Sequence, residues 1–113
     1  MTCLFCDIAD KKRPSSVVYE DPKVFAFRDI HPQAPSHILV IPRKHISTLD
    51  AIGEEDGELM GHVLLKAGDI ARQEGLAGKG YRVVINCNPW GGQAVYHLHF
   101  HLLGGRPFRW PPG

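Results

Sequence analysis

Val95-Tyr96-His97-Leu98-His99-Phe100-His101-Leu102-Leu103 alternates imidazole and apolar side chains from His97 onward. A strand turns successive side chains to opposite faces, so this spacing predicts a strand from Val95 to Leu103 with three imidazoles on one face. The apolar face can close a core while the imidazole row points into a cleft. Packing alone gives no reason to use histidine three times, because each ring carries a donor and an acceptor that need partners. Three neutral imidazoles could hold a catalytic zinc with a water in the fourth position. Alternatively, one ring is a nucleophile and its neighbours supply protons and hydrogen-bond donors. Like charges disfavour protonating all three, so adjacent rings divide into neutral and protonated members.

The residues before the row bear on that choice. In Asn86-Cys87-Asn88-Pro89-Trp90-Gly91-Gly92-Gln93-Ala94, the glycine pair permits a tight turn that brings backbone N–H groups to an anion, and Gln93 adds a neutral donor. No acidic residue occurs from Tyr81 to Gly113. A magnesium–phosphate site normally brings carboxylates and a catalytic zinc usually has a general base, so both lose ground to the nucleophile.

Working outward, the pattern predicts a short helix from Leu4 to Ala9 and strands at Val17–Glu20 and Val24–Asp29 around an Asp21-Pro22 turn. A fully apolar strand follows at Ile38–Ile41. Leu59, Met60, Val63, Leu64, Ala67, Ile70 and Ala71 recur at helical spacing, which predicts one long helix from Glu54 to Glu74. Arg82–Ile85 and the histidine strand complete five strands. The expected class is α+β, an antiparallel five-stranded sheet with the helix on one face.

The chain of 113 residues is sized for one domain, 1–113, with residues 104–113 as an extended tail. A net charge of +1 with scattered basic residues gives no stripe for nucleic acid. There is no apolar run for a membrane span or signal peptide, and three cysteines cannot all pair, so a cytoplasmic protein is expected. Cys3 and Cys6 form a C-x2-C pair, half a zinc site in spacing, though also compatible with a redox dithiol or two small apolar residues.

Gly92-Gln93-Ala94-Val95-Tyr96-His97-Leu98-His99-Phe100-His101-Leu102-Leu103-Gly104-Gly105 resembles the signature of the histidine triad (HIT) nucleotide-binding family. The similarity extends through Phe27–His37 and Val40–Ile46, and Trp110-Pro111-Pro112-Gly113 resembles the purine nucleoside phosphoramidase branch. The resemblance implies a covalent nucleotidyl intermediate on His99, with His101 at the phosphate oxygens, His97 in the triad and His37 as an orienting neighbour. It implies that Asp29 accepts from the ribose hydroxyls. Leu4, Phe5, Ile8, Phe27, Ile30 and Leu39 would enclose the base, while Asn86, Gly92, Gln93, Ala94 and Val95 line the phosphate.

Some bacterial relatives carry a structural zinc, here matching Cys3, Cys6, His45 and His97; no catalytic metal is expected. Relatives form homodimers through the long helix and an edge strand, so the sheet would continue across the dimer. Gly57, Gly61 and Gly68, each costing about 1 kcal/mol of helix propensity, fit a close approach there. Trp110 would reach the partner's active site. Ala94 departs from the serine or threonine of several relatives. His31 and His62 match nothing functional and read as solvated. The alternatives are a dinucleoside polyphosphate hydrolase of the same family and a non-catalytic, zinc-stabilised nucleotide-binding or scaffold protein.

Overall fold

Two apolar stripes on one sheet decide how this chain packs. In the computed structural model, which describes residues 2–113, strands β1 (Val17–Glu20), β2 (Val24–Arg28), β3 (Ser36–Pro42), β4 (Arg82–Val84) and β5 (Phe100–Gly104) form one sheet in the order β1-β2-β3-β5-β4. Every neighbouring pair is antiparallel. Helix α1 (Leu4–Ala9) lies on one side of the sheet, and α2 (Gly57–Gln73) packs against β3 from the other. This is the α+β architecture expected from the pattern.

The central strands are apolar on both faces because both are covered. Val24, Ala26, Ile38, Val40, Phe100 and Leu102 meet Val63, Ala67, Ile70 and Ala71 of α2. Phe25, Phe27, Leu39 and Ile41 meet Phe5, Ile8 and Ala9 of α1. Register then places the histidines. His101 is opposite Leu39 and His37 is opposite Leu103, so both rings share the α1 side of the sheet.

Several boundaries differ from the sequence pattern. The expected strand from Val95 begins only at Phe100. The Leu98 N–H leaves the ladder to donate to the Ile46 carbonyl (2.7 Å), so residues 95–99 bend beside the segment after β3 instead of joining the sheet. A short helix, α3 (Asn88–Gly91), ends at Gly92, whose φ of 85° suits glycine. The long helix starts three residues late, after a 3-10 turn at Glu54–Asp56. Asp56 accepts from the Gly53 N–H (3.0 Å) and from Lys44 Nζ (2.6 Å), which ties that turn to the chain just ahead of His45.

His62 corrects the sequence reading more sharply. It is half-buried, with Nε2 2.7 Å from Asp21 Oδ2, and it joins α2 to the β1–β2 turn. Burial would push the Asp21 carboxyl up, but hydrogen bonds from Tyr19, the Lys23 N–H, His62 and the Val24 N–H outweigh it and hold the group well below the usual range. A Cβ added at Gly57 or Gly61 would meet nothing within 4 Å, so the fold of one chain does not require glycine at either position.

Candidate functional site

The bend at residues 95–99 drives two consecutive histidines of the row into different environments. His97 is fully buried. Its Nε2–H donates to the Pro42 carbonyl at 2.7 Å, which leaves Nδ1 as the nitrogen carrying the lone pair. That Nδ1 lies 3.3 Å from Cys3 Sγ, 3.5 Å from Cys6 Sγ and 3.2 Å from His45 Nδ1. Cys6 Sγ is 3.5 Å from His45 Nδ1, and all four donor atoms lie within 4.8 Å of one another.

These separations match the edges of a tetrahedron around one ion. Zinc bond lengths of about 2.0 Å to nitrogen and 2.3 Å to sulfur give edges of roughly 3.3 Å between nitrogens and 3.5 Å between nitrogen and sulfur. Thus Cys3, Cys6, His45 and His97 fit a closed Cys2His2 zinc site. The Pro42 carbonyl orients His97 as zinc-site histidines are usually oriented, through the ring nitrogen that does not face the metal. The Cys6 N–H reaches Cys3 Sγ at 3.3 Å, which caps α1. With no metal bound, burial, the hydrogen bond with Cys3 and nearby Cys3, Asp10 and Asp7 charge raise the Cys6 thiol to about 11. A bound cation reverses that preference.

His99 is oriented by the same bend. Its Nδ1–H donates to the His97 carbonyl at 2.7 Å, so its Nε2 carries the lone pair. That nitrogen has no partner among the described residues and remains open to solvent. Phe5 packs edge-on against the His99 ring with centroids 5.1 Å apart, and also against Phe27 at 5.4 Å. Phe5, Ile8, Phe27 and Leu39 are therefore core residues of the α1 side, whereas Leu4 and Ile30 stay at the surface.

His101 has its tautomer set from the other direction. The Gln33 N–H donates to His37 Nδ1 at 3.0 Å, which puts the His37 proton on Nε2. That Nε2–H faces His101 Nδ1 at 2.9 Å, so His101 keeps its proton on Nε2. Asp29 Oδ2 lies 3.5 Å from His37 Nε2, while Asp29 Oδ1 accepts from the His31 N–H at 2.8 Å. Burial, then the neighbouring His99 and His37, push His101 down to about 4. His37 is also lowered, by burial offset in part by Asp29. Adjacent rings 4.9 Å apart thus present opposite chemistry, a bare Nε2 on His99 and an Nε2–H on His101.

The phosphate-loop candidates divide. Gly92 and Ala94 are exposed, and Asn86 and Val95 are half-buried, with Val95 against the α1-side core. Gln93 is buried, and its Nε2 donates to the Ser47 (2.8 Å) and Val95 (3.0 Å) carbonyls while Oε1 accepts from the Asn88 N–H (2.9 Å). Its amide therefore braces the loop rather than facing outward. Trp110 is 83% exposed in the single chain. Sequence reading missed Pro42 and Gln33, which act through backbone atoms that any residue could supply.

Comparison with known proteins agrees with this geometry. The HIT domain model matches residues 10–108. The 14 kDa zinc-binding protein of Zea mays is 54% identical over 112 residues, covering 97% of this chain and 87% of that protein. The crystal structure of a HIT family hydrolase from Legionella pneumophila Philadelphia 1 superposes with a TM-score of 0.98 at 54% identity, covering 99% of this chain and all of that one. A histidine triad nucleotide-binding protein from Candida albicans has a TM-score of 0.82 at 28% identity, covering 97% and 83%. Sequence and backbone agree over nearly the whole length, and the chain belongs to the HIT family.

Proposed function

We propose that this chain is a hydrolase that cleaves purine nucleoside 5′-phosphoramidates or acyl-adenylates to nucleoside monophosphates through a nucleotidyl-histidine on His99. The observation that carries it is the opposed pair of tautomers, a lone pair at His99 Nε2 beside a proton at His101 Nε2. A nucleophile and a donor for the phosphate oxygens are needed together at phosphorus. The names of two relatives, a hydrolase from Legionella pneumophila and a nucleotide-binding protein from Candida albicans, support the same reading.

His99 Nε2 forms a bond to the α-phosphorus as the bond to the leaving nitrogen breaks. The amine departs with one proton more than it carried in the substrate, taken up from solvent, while the Nε2–H of His101 holds a phosphate oxygen and steadies the charge as that proton moves. Water then attacks the phosphorus, the bond to His99 breaks, and the proton taken up in the first half is released in the second. Backbone N–H groups near His99 stabilise the oxyanion, those of Ala94 and Val95 rather than those of Gly92 and Gln93, which already donate to the Pro89 and Asn88 carbonyls (3.1 Å each). Asp29 accepts from the ribose, and Asn86 borders the phosphate. Leu4 and Ile30 offer the exposed apolar surface for the base, above Phe5, Ile8, Phe27 and Leu39.

A zinc ion on Cys3, Cys6, His45 and His97 supplies structural support, tying α1 to the segments after β3 and before β5. The maize relative's zinc-binding name accords with it. The working form is a homodimer whose sheet runs through the β4 edge and whose second contact is α2. Leu64 and Leu65 (53% and 70% exposed) are the apolar residues that a partner helix would cover.

The deciding experiment incubates the protein with an adenosine phosphoramidate, with and without a chelator, and maps any trapped adduct by mass spectrometry. Release of AMP with a transient nucleotidyl group on His99 is expected. Nucleotide binding without turnover would instead support a scaffold protein. Immediate and complete loss of turnover on adding chelator would put a metal in the reaction.

A further inference from the structure

The C-terminal tail, just beyond β5, and the β2–β3 loop meet closely. Gly105 has φ +90°, and a Cβ there would lie 2.8 Å from Pro35 Cβ, so only glycine allows the approach. One residue later, Arg106 Nη2 donates to the Gln33 carbonyl at 3.0 Å. The guanidinium is itself held, 4.3 Å from the centroid of the Phe108 ring. Arg82 on β4 lies over the same ring at 5.2 Å and donates to the Arg109 carbonyl at 2.8 Å. The tail is thereby fastened at both Arg106 and Arg109 to the body of the fold.

Gln33 is the residue whose N–H fixes His37. Arg106 holds Gln33 at its carbonyl, the peptide group before it donates its N–H to His37 Nδ1 (3.0 Å), and His37 Nε2–H donates to His101 Nδ1 (2.9 Å), so the backbone of one residue links the arginine to the two imidazoles. We propose that Arg106 is a positioning residue that holds the Gln33 backbone in the orientation that keeps the His101 proton on Nε2.

Both tautomers of a neutral imidazole are close in energy, so an external partner decides between them. If the Gln33 N–H turns away, His37 can carry its proton on Nδ1 and accept at Nε2. His101 then donates from Nδ1 and presents a bare Nε2. In that state His99 and His101 both offer lone pairs, and no proton faces the phosphate oxygens. Arg106 touches neither substrate nor triad, and its effect passes entirely through Gln33 and His37. The catalytic consequence rests on the phosphoramidase reading above, whereas the tautomer consequence does not.

The test compares wild type with Arg106→Ala, Arg106→Lys and Arg109→Ala, each with uniformly 15N-labelled histidine. Long-range 15N–1H correlation spectra report which nitrogen of His37 and His101 carries the proton. In the wild type both protons are expected on Nε2. In Arg106→Ala both resonances should move toward the Nδ1–H form, with partial return in Arg106→Lys and no change in Arg109→Ala, whose contact to Arg82 uses only the backbone. Activity on an adenosine phosphoramidate should fall on the order of 10-fold in kcat for Arg106→Ala, with KM little changed. Unchanged His37 and His101 tautomers in a folded Arg106→Ala protein would overturn the proposal. Shifted tautomers in a protein without phosphoramidase activity would uphold the proposal and overturn the functional reading alone. A loss of kcat with wild-type tautomers would show that Arg106 acts by another route and would also overturn it.

Discussion

The carbonyl of His97 accepts the Nδ1–H of His99 at 2.7 Å, so the residue fitted to hold the metal also sets the tautomer of the proposed nucleophile. His97 is itself fixed on two sides, by the Pro42 carbonyl at Nε2 and by the cysteine cluster at Nδ1. A displacement of His97 therefore moves the acceptor that keeps His99 Nε2 bare.

Replacing His99 tests the chemistry most directly. His99→Asn should lower phosphoramidate turnover by at least ~100-fold, because the covalent route is lost, while nucleotide affinity stays near that of the wild type. The side chain contributes one backbone hydrogen bond and edge contacts to Phe5 and His101, so the fold should survive. An adduct found on His97 or His101 would reassign the nucleophile.

Loss of one thiol should separate metal binding from the chemical step. Cys3→Ser is expected to drop zinc from about one equivalent to well below it and to lower Tm, because the cluster joins α1 to two distant segments. Activity should fall by less than the His99 variant, and adding zinc should not restore it fully. Elemental analysis showing no zinc in freshly purified wild-type protein would rule the site out.

Acid should destabilise the fold through His101. Burial, with His99 and His37 close by, lowers its folded-state value to about 4, against an ordinary value near 6.5 in the unfolded chain. The unfolded state therefore binds a proton that the folded state refuses. This contribution is fully present above about pH 6.5 and is lost as the pH falls toward about 4. Urea unfolding of wild type and His101→Gln, both saturated with zinc, should show a stability gap that narrows across that window. A gap of equal size at both ends would assign the acid sensitivity elsewhere.

Gln93 offers a separate check on the loop. Its Nε2 faces two carbonyls, so Gln93→Glu would set a carboxylate oxygen against them. A loss of about 1–3 kcal/mol in unfolding free energy is expected from unsatisfied buried polar groups. An outward-facing phosphate donor would give unchanged stability and a raised KM.

Much of this was legible in the sequence because periodicity reports burial. The α2 stripe from Leu59 to Ala71 and the apolar β3 run placed the core correctly. Alternation in the histidine row also put His101 and Leu102 on opposite faces of the last strand, yet it overextended that strand by five residues. Nothing in the identities of residues 95–99 announces the bend, since it depends on the Leu98 N–H finding Ile46 rather than a ladder partner. The same limit hid the Asp21–His62 pair, which joins residues 41 positions apart across the β1–β2 turn and α2. Side-chain chemistry named the imidazoles; backbone atoms of Pro42, His97 and Gln33 decide what each imidazole does.

Trp110 remains exposed in the single chain although its indole is large and apolar, and Phe108 two residues earlier is anchored between two guanidiniums. The anchor ends at Arg109, so the indole projects from a fixed point rather than from a loose end. A partner subunit is the proposed cover, with Trp110 bordering its leaving-group pocket. Trp110→Ala is the cleaner probe than tail deletion, because deletion after Gly105 would also remove Arg106. The variant should alter the ratio of kcat/KM between phosphoramidates of bulky and small amines several-fold, while adenine-to-guanine preference and dimer mass stay constant, consistent with one aromatic contact of about 0.5–1.5 kcal/mol. Sedimentation and paired kinetics on four substrates measure all three quantities. If the leaving-group ratio is unchanged, the indole serves only to pack the tail; if the dimer dissociates, it belongs to the interface itself.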